Sequence, residues 1–131
     1  MKKDIKIPVS KGVYIAITHE WNKEFLSKEW NSYIINDNSF EIEMVLVVTK
    51  GYDNDIKTST MRHGIGKVDS KSFSKIEVIQ EEVLKLNNEF YVTYFTSNKL
   101  YEKKFIFQKN TVNENTMQEL PIMEIEGVII K

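Results

Sequence analysis

Cysteine is absent from this 131-residue chain, and arginine is nearly so. Without cysteine there are no disulfide bonds, thiolate nucleophiles, iron–sulfur clusters or cysteine-ligated zinc. Arg62 is the single arginine among 18 basic residues, although arginine carries the planar fork that best reads phosphate and guanine. Acidic residues number 19, so the net charge is −1 and no field of one sign favours nucleic acid. We therefore expect no nucleic-acid partner.

Long hydrophobic runs are also missing. No stretch approaches the roughly 18 apolar residues that a membrane-spanning helix needs. The chain starts with a basic segment, residues 1–6, which is not followed by the apolar run of a signal peptide. These observations predict a cytoplasmic protein that does not bind a membrane.

Alanine and leucine, which favour helices, are scarce: alanine occurs once, as Ala16, and leucine six times. Isoleucine, valine and threonine together number 35, and aromatic residues add 15. Such β-branched and aromatic side chains suit the half-buried surface of a pleated sheet. The two prolines, Pro8 and Pro121, lie near the ends and leave the middle free for sheet hydrogen bonding. The composition predicts an all-β chain, and its length predicts one domain over 1-131.

Apolar and polar residues alternate along several short segments, as is typical of strands with one buried face. The strand candidates are residues 13–19, 30–36, 40–49, 57–62, 73–79, 90–96, 100–108 and 122–130. Only Ser97, Asn98 and Lys99 separate the strand candidates 90–96 and 100–108, which predicts a hairpin. The Asn- and Asp-rich residues 36–39 predict a second hairpin. Further turns are expected at 51–55 and 63–66, and short helices at 22–29 and 80–86.

About eight short strands without long helices between them predict antiparallel packing. Two stacked sheets bury the alternating faces of such strands. We therefore expect an antiparallel β-sandwich, immunoglobulin-like or C2-like, with at most one or two short helices. A small barrel is the alternative, because it produces the same alternation.

Arg62 and His63 are the most prominent candidates for a ligand site. They follow Thr60 at the end of a polar strand and precede Gly64. An imidazole can transfer protons near neutral pH, and a guanidinium can hold a carboxylate or phosphate. The alternative is a solvated edge strand whose charges discourage edge-to-edge association.

Metal ligands are few in this sequence. Asp53 and Asp55 could offer oxygens to Ca²⁺, but no glutamate follows at the spacing of a calcium loop, and an ordinary turn explains them. The two histidines, His19 and His63, stand in no metal-binding motif. We expect neither a metal nor a cofactor.

Aromatic residues occur on both faces of the strand predicted at 90–96. One face is then either covered by a second subunit or exposed. The candidate interface residues of a homodimer are Trp30, Tyr91, Phe95 and Tyr101. The alternative is that half of the aromatic side chains face the core and the rest pair across strands.

Three segments, at 30–36, 50–52 and 57–63, resemble a family of small uncharacterised bacterial proteins. Members of that family are sometimes labelled phenylalanyl-tRNA synthetase alpha subunit. The resemblance implies no known reaction. A class II synthetase core is much longer than this chain, and its signature motifs hold ATP with arginines, of which this chain has one.

The chain does not contain the Gly-x-Ser-x-Gly elbow that marks many hydrolases. Neighbouring acidic residues such as Glu41 and Glu43 are better explained as a solvated strand face than as a pair of catalytic carboxylates. We expect a non-enzymatic binding or assembly module that associates with itself through a sheet face or edge. The alternative is a small binding protein or enzyme that holds an anionic ligand with Arg62 and His63.

Overall fold

A computed structural model describes residues 8–131 of the chain. The amino-terminal segment considered for a signal peptide therefore lies outside the described residues. Strands account for 61% of the structure and helices for 6%, which confirms the all-β prediction. The strands are β1 Val13–Asn22, β2 Ser27–Asn36, β3 Ile42–Asp53, β4 Ile56–Lys57, β5 Met61–Val68, β6 Ser72–Ile79, β7 Asn87–Thr96, β8 Lys99–Phe107, β9 Gln118–Glu119 and β10 Glu126–Ile130.

The strands form two antiparallel sheets. Sheet 1 has the order β6-β2-β1-β10-β9. In sheet 2, β3 pairs with β7, and β7 pairs with β8. β5 and the short β4 pair with the other edge of β3. The predicted antiparallel sandwich is thus the architecture of the protein.

The core lies between the inner faces of the two sheets. β1 contributes Val13, Ile15 and Ile17, and β3 contributes Val45 and Val47, all of them buried in one cluster. Their spacing of two residues is the alternation that the sequence displays, because successive strand residues point to opposite faces. Burying these β-branched side chains between the sheets is the main source of stability.

A smaller cluster lies on the outer face of sheet 1. The segment before β10 brings Leu120 and Met123 against Ala16 and Ile35. The chain therefore covers part of this outer face itself. Among residues 8–131, no helix is long or apolar enough to cross a membrane; the expected cytoplasmic location stays a prediction.

One predicted hairpin is confirmed and the other is wrong. β7 and β8 are joined by Ser97 and Asn98, whose φ angles of 52° and 61° suit the left-handed conformations of a tight hairpin turn. The segment at 36–39 instead carries the chain from β2 in sheet 1 to β3 in sheet 2. Asn36 supports this crossing, since its buried amide donates to the backbone oxygens of Phe40, Val68 and Asp69.

The helix predicted at 22–29 is also wrong, because these residues close the β1–β2 hairpin. Asn22 pairs with Ser27, and its side chain accepts hydrogen bonds from the backbone of Glu24 and Phe25. The helix predicted at 80–86 is confirmed as the 3₁₀-helix Glu81–Lys85. The turn predicted at 63–66 lies within β5, where Gly66 has a φ of 84° at an irregularity opposite Val45.

Candidate functional site

A β-bulge in β6 places a carboxylate between the two sheets. Ser32 of β2 pairs with Glu77, whereas the next residue, Tyr33, pairs with Lys75, so Ile76 is an extra residue in β6. The extra residue reverses the alternation, and Glu77 shares the inner face with Ser32 while Lys75 stays on the outer face. The Ser32 hydroxyl fixes this geometry by donating to the backbone oxygen of Glu77 and accepting from its backbone nitrogen.

Sheet 2 contributes two side chains that contact this carboxylate. His63 of β5 places Nε2 2.5 Å from Oε1 of Glu77. Thr49 of β3 donates its hydroxyl to the same oxygen at 2.7 Å. Thr49 is buried, and the side chains of His63 and Glu77 are about four-fifths buried. The three residues thus join β3, β5 and β6 across the open edge of the sandwich.

The chemistry of Glu77 and His63 follows from which of their atoms already form hydrogen bonds. A carboxylate only accepts hydrogen bonds, so Glu77 pairs with the tautomer of His63 that carries its hydrogen on Nε2. Oε1 accepts from both neighbours, whereas Oε2 has no hydrogen-bond partner among residues 8–131. In that tautomer the other ring nitrogen of His63, Nδ1, is a hydrogen-bond acceptor.

Glu77 and Thr49 line a cleft of about 480 Å³ at this edge. The cleft is bounded by the inner side of sheet 2, the end of β6, the 3₁₀-helix Glu81–Lys85 and the connection between β4 and β5. Its lining residues include Ser59, Met61, Ile79, Val83, Asn88 and Phe90. A volume of this size lies in the range typical of small-molecule sites, which are mostly apolar with a few fixed polar groups.

Arg62 and His63 are not brought together. The two residues are consecutive in β5, where Arg62 pairs with Val48 and His63 with Val47 of the core. Consecutive strand residues point to opposite faces, so the exposed Arg62 lies on the outer face of sheet 2 and His63 on the inner side. Thr60 lies before β5 and is exposed. The two side chains therefore do not share the face that the predicted anion-binding site requires.

The four candidate interface residues are also separated. Trp30 is 6% exposed and belongs to the core, where it stacks on His19. Tyr101 stacks on Tyr94 inside the sandwich, with ring centroids 5.2 Å apart. Tyr91 and Phe95 lie on the outer face of sheet 2, where Tyr91 donates its hydroxyl to Glu102.

The aspartates considered for calcium belong to the surface of the protein. Asp53 forms an ion pair with Lys109, with Nζ 3.2 Å from Oδ1, and Asp55 is exposed in the turn before β4. Within the part of the chain that the structure describes, no three acidic or histidine side chains converge as metal ligands do. An ordinary turn between β3 and β4 accounts for the positions of Asp53 and Asp55.

Glu77 and Thr49 were missed as site residues by sequence reasoning. Strict alternation along 73–79 places Glu77 on the same face as Phe73 and Lys75, which is a solvated face. Only the bulge moves it inward, and a bulge leaves no pattern in one sequence when it contains no glycine. The single available signal is His63, one of two histidines in the chain. Comparisons with family models and with curated proteins gave no match, so the family resemblance stays a prediction.

Proposed function

We propose that this protein is a small-molecule binding module whose ligand site is the cleft lined by Glu77 and Thr49. The observation that carries the proposal is that Glu77 lines the cleft, with one carboxylate oxygen held by His63 and Thr49 and the other without a protein partner among residues 8–131. Such an oxygen is an acceptor fixed before any ligand arrives, which lowers the entropic cost of binding.

The cleft favours a ligand with an apolar body and a hydrogen-bond-donating head. Ile79, Val83 and Phe90 supply apolar lining. The lining also includes Lys50, which forms an ion pair with Glu89 at 3.7 Å. The Glu77 carboxylate is therefore the group that accepts hydrogen bonds and repels anions. Arg62, the side chain best suited to holding an anion, lies on the other face of its strand. A neutral or cationic head therefore fits better than the anionic one considered from the sequence.

Three probes with the same phenyl body test this preference: benzamide, phenethylamine and phenylacetate. Each is titrated into ¹⁵N-labelled protein, and the amide shifts are followed by NMR. We expect saturable shifts at Thr49, Glu77 and Phe90 with the neutral and cationic probes, and weaker or no shifts with phenylacetate. Absence of localised shifts with all three probes, or preference for phenylacetate, would contradict the proposal.

A blocking variant supplies the control. Ser59 is exposed at the lip of the cleft, and Ser59→Trp should fill its entrance without disturbing the core. Ser70→Trp introduces the same side chain at an exposed turn between β5 and β6, away from the cleft lining. Probe binding should be lost in the first variant and kept in the second. Equal binding by both variants would place the probe elsewhere.

Self-association is a second candidate function, and a specific surface favours it. The outer face of sheet 2 exposes three apolar residues near the β7–β8 turn, namely Leu46, Phe95 and Leu100, and Met44 is exposed at the neighbouring irregularity in β3. Met44 is 71% exposed and has a φ of 50°, a left-handed conformation that a methionine adopts at a cost. A second copy of this chain would cover these side chains and make a homodimer.

Sedimentation velocity tests this second function. A homodimer should dissociate on Phe95→Glu, because the variant buries a charge in the interface. Phe73→Glu, also at an exposed phenylalanine but on β6 of sheet 1, is the matched control and should leave the dimer intact. A wild-type protein that remains monomeric at high micromolar concentration would exclude self-association as the function.

A further inference from the structure

The outer face of sheet 2 carries an arginine and a glutamate that form no ion pair among residues 8–131. Arg62 of β5 is exposed, and none of the ion pairs between described residues includes it. Glu102 of β8 is also outside those pairs. One of its carboxylate oxygens, Oε2, accepts from the Tyr91 hydroxyl, and the other accepts no hydrogen bond from the described chain. A cation and a carboxylate on one face are thus both open to a partner.

Strand register fixes where these two side chains lie. One row of outward-facing residues crosses β5, β3, β7 and β8 in the order Arg62, Val48, Tyr91 and Lys104. The neighbouring row crosses the same strands in the order Gly64, Leu46, Thr93 and Glu102. Arg62 and Glu102 are therefore at opposite edges of the sheet. Three strand spacings separate them by about 14 Å, so they cannot pair within one molecule.

A second copy of the chain brings the two charges together. A two-fold axis that runs parallel to the strands, between β3 and β7, exchanges the edges of the sheet and keeps each row at its own level. β5 of one copy then faces β8 of the second copy, so Glu102 of the second copy lies over Gly64. Arg62 is the next outward-facing residue along β5. Packed sheets lie about 10 Å apart, a gap that an arginine and a glutamate side chain span together.

The surface has the space and the apolar centre that this contact needs. A Cβ at Gly64 would meet no atom within 4 Å, so the carboxylate of the second copy has room there. The same axis places β3 of one copy over β7 of the other. Leu46 and Val48 then lie against Thr93 and Tyr91 of the second copy. Leu46 is 38% exposed in the single chain, and this contact would remove it from water.

The other charges of the face leave room for this pairing. Lys104 lies in the row of Arg62 and faces it across the axis, but its Nζ is 3.9 Å from Glu89. Glu89 lies on the side of that row away from Glu102, and Lys50 also pairs with it, at 3.7 Å. A two-fold axis perpendicular to the strands would instead place β5 against β5. The two copies of Arg62 would then approach each other, which their like charges disfavour.

We propose that this protein forms a two-fold homodimer through the outer face of sheet 2, held in register by two reciprocal pairs between Arg62 of one copy and Glu102 of the other. The proposal rests on self-association, the second candidate function, and adds its symmetry and the residues that recognise the second copy. A two-fold contact uses the same patch on both copies, so assembly stops at two. The single arginine of the chain then has a role that suits it, because a guanidinium binds a carboxylate with two parallel hydrogen bonds.

Charge reversal tests the pairing by sedimentation velocity. Arg62→Glu and Glu102→Arg each create two like-charge contacts in a dimer, and each should raise the dimer dissociation constant at least about a hundredfold. Neither side chain belongs to the core, so both variants should fold, which circular dichroism checks. Lys23→Glu is a control with a similar reversal in the exposed β1–β2 turn, and it should leave the dissociation constant unchanged.

Mixing the two reversed variants is the decisive measurement. In a dimer with one copy of Arg62→Glu and one of Glu102→Arg, both contacts again join an arginine to a glutamate. Native mass spectrometry, which separates the variants by mass, should therefore show a heterodimer of near wild-type affinity. Single variants that dimerise like the wild type, or a mixture without recovery, would overturn this geometry and leave self-association standing. A wild-type protein that stays monomeric at high micromolar concentration would contradict both.

Discussion

His19 and Trp30 stack face to face across β1 and β2, with ring centroids 3.9 Å apart and planes inclined by 2°. The imidazole covers the indole and leaves Trp30 buried in the core. Trp21, two residues further along the same strand as His19, is 57% exposed. The two tryptophans of the chain therefore report opposite environments.

Tryptophan fluorescence should separate these environments. Trp21→Phe leaves Trp30 as the only emitter, and its emission should be blue-shifted and protected from acrylamide, because the indole is buried. Trp30→Phe leaves Trp21, with red-shifted and readily quenched emission. Similar spectra from the two folded variants would contradict the placement of Trp30 in the core.

Gly127 lies where a side chain has no room. A Cβ there would lie 2.7 Å from the backbone oxygen of Ile17 and 2.9 Å from Leu120. Gly127→Ala should therefore lower the free energy of unfolding by about 1–3 kcal/mol, measured by urea denaturation. Gly64→Ala is the matched control, because a Cβ at Gly64 meets no atom within 4 Å. Equal effects of the two substitutions would contradict the close packing of β10 on β1.

Leu26 holds a conformation in the β1–β2 turn that disfavours leucine. Its φ is 50°, and its side chain is exposed to solvent. Asparagine tolerates this left-handed region, so Leu26→Asn should raise the free energy of unfolding by about 1 kcal/mol. Phe25→Asn removes a neighbouring exposed apolar side chain that does not have a positive φ. Thermal denaturation should show stabilisation for Leu26→Asn alone. Equal stabilisation by both variants would mean that the cause is the loss of an exposed apolar side chain and not the relief of the backbone at Leu26.

Burial acts to raise the pKa of Glu20 in β1, but hydrogen bonds from Tyr33, Thr18 and Asn31 outweigh it and lower the pKa. This lowered pKa predicts how stability changes with pH. A carboxyl with a depressed pKa in the folded state stabilises the protein above its unfolded pKa, and this contribution is lost as pH falls through the folded value. Glu20→Gln should therefore cost about 1–2 kcal/mol at neutral pH. The difference from wild type should shrink below about pH 4. Urea denaturation across this range checks it, and a difference that grows on acidification would contradict the assigned charge.

The contact between His63 and Glu77 should be visible as a coupling energy. A double-mutant cycle with His63→Ala and Glu77→Ala should give a coupling of about 1–3 kcal/mol, because the pair is mostly buried. The exposed pair Lys67 and Glu41, at 3.9 Å, serves as the control and should couple by less than about 0.5 kcal/mol. Equal couplings would mean that the two pairs are similarly solvated.

Much of the fold can be predicted from local sequence. β-Branched residues at every second position define the buried faces of β1 and β3, because a strand exposes its two sides alternately. The turn at Ser97 and Asn98 is also local, since asparagine tolerates the left-handed backbone that the tight hairpin requires. Strand partners were less predictable: the crossing at 36–39 and a hairpin have the same kinds of turn residue.

The candidate sites depend on contacts that no local pattern contains. Glu77 faces inward because one extra residue in β6 shifts its register against β2. His63 and Thr49 reach it from the other sheet.

The sequence by itself determined that this chain forms strands and which side chains are apolar enough to be buried. The tertiary structure alone decided which polar groups meet. The physical reason is that alternation is a property of single strands, whereas register, bulges and the stacking of two sheets are set by packing between segments distant in sequence.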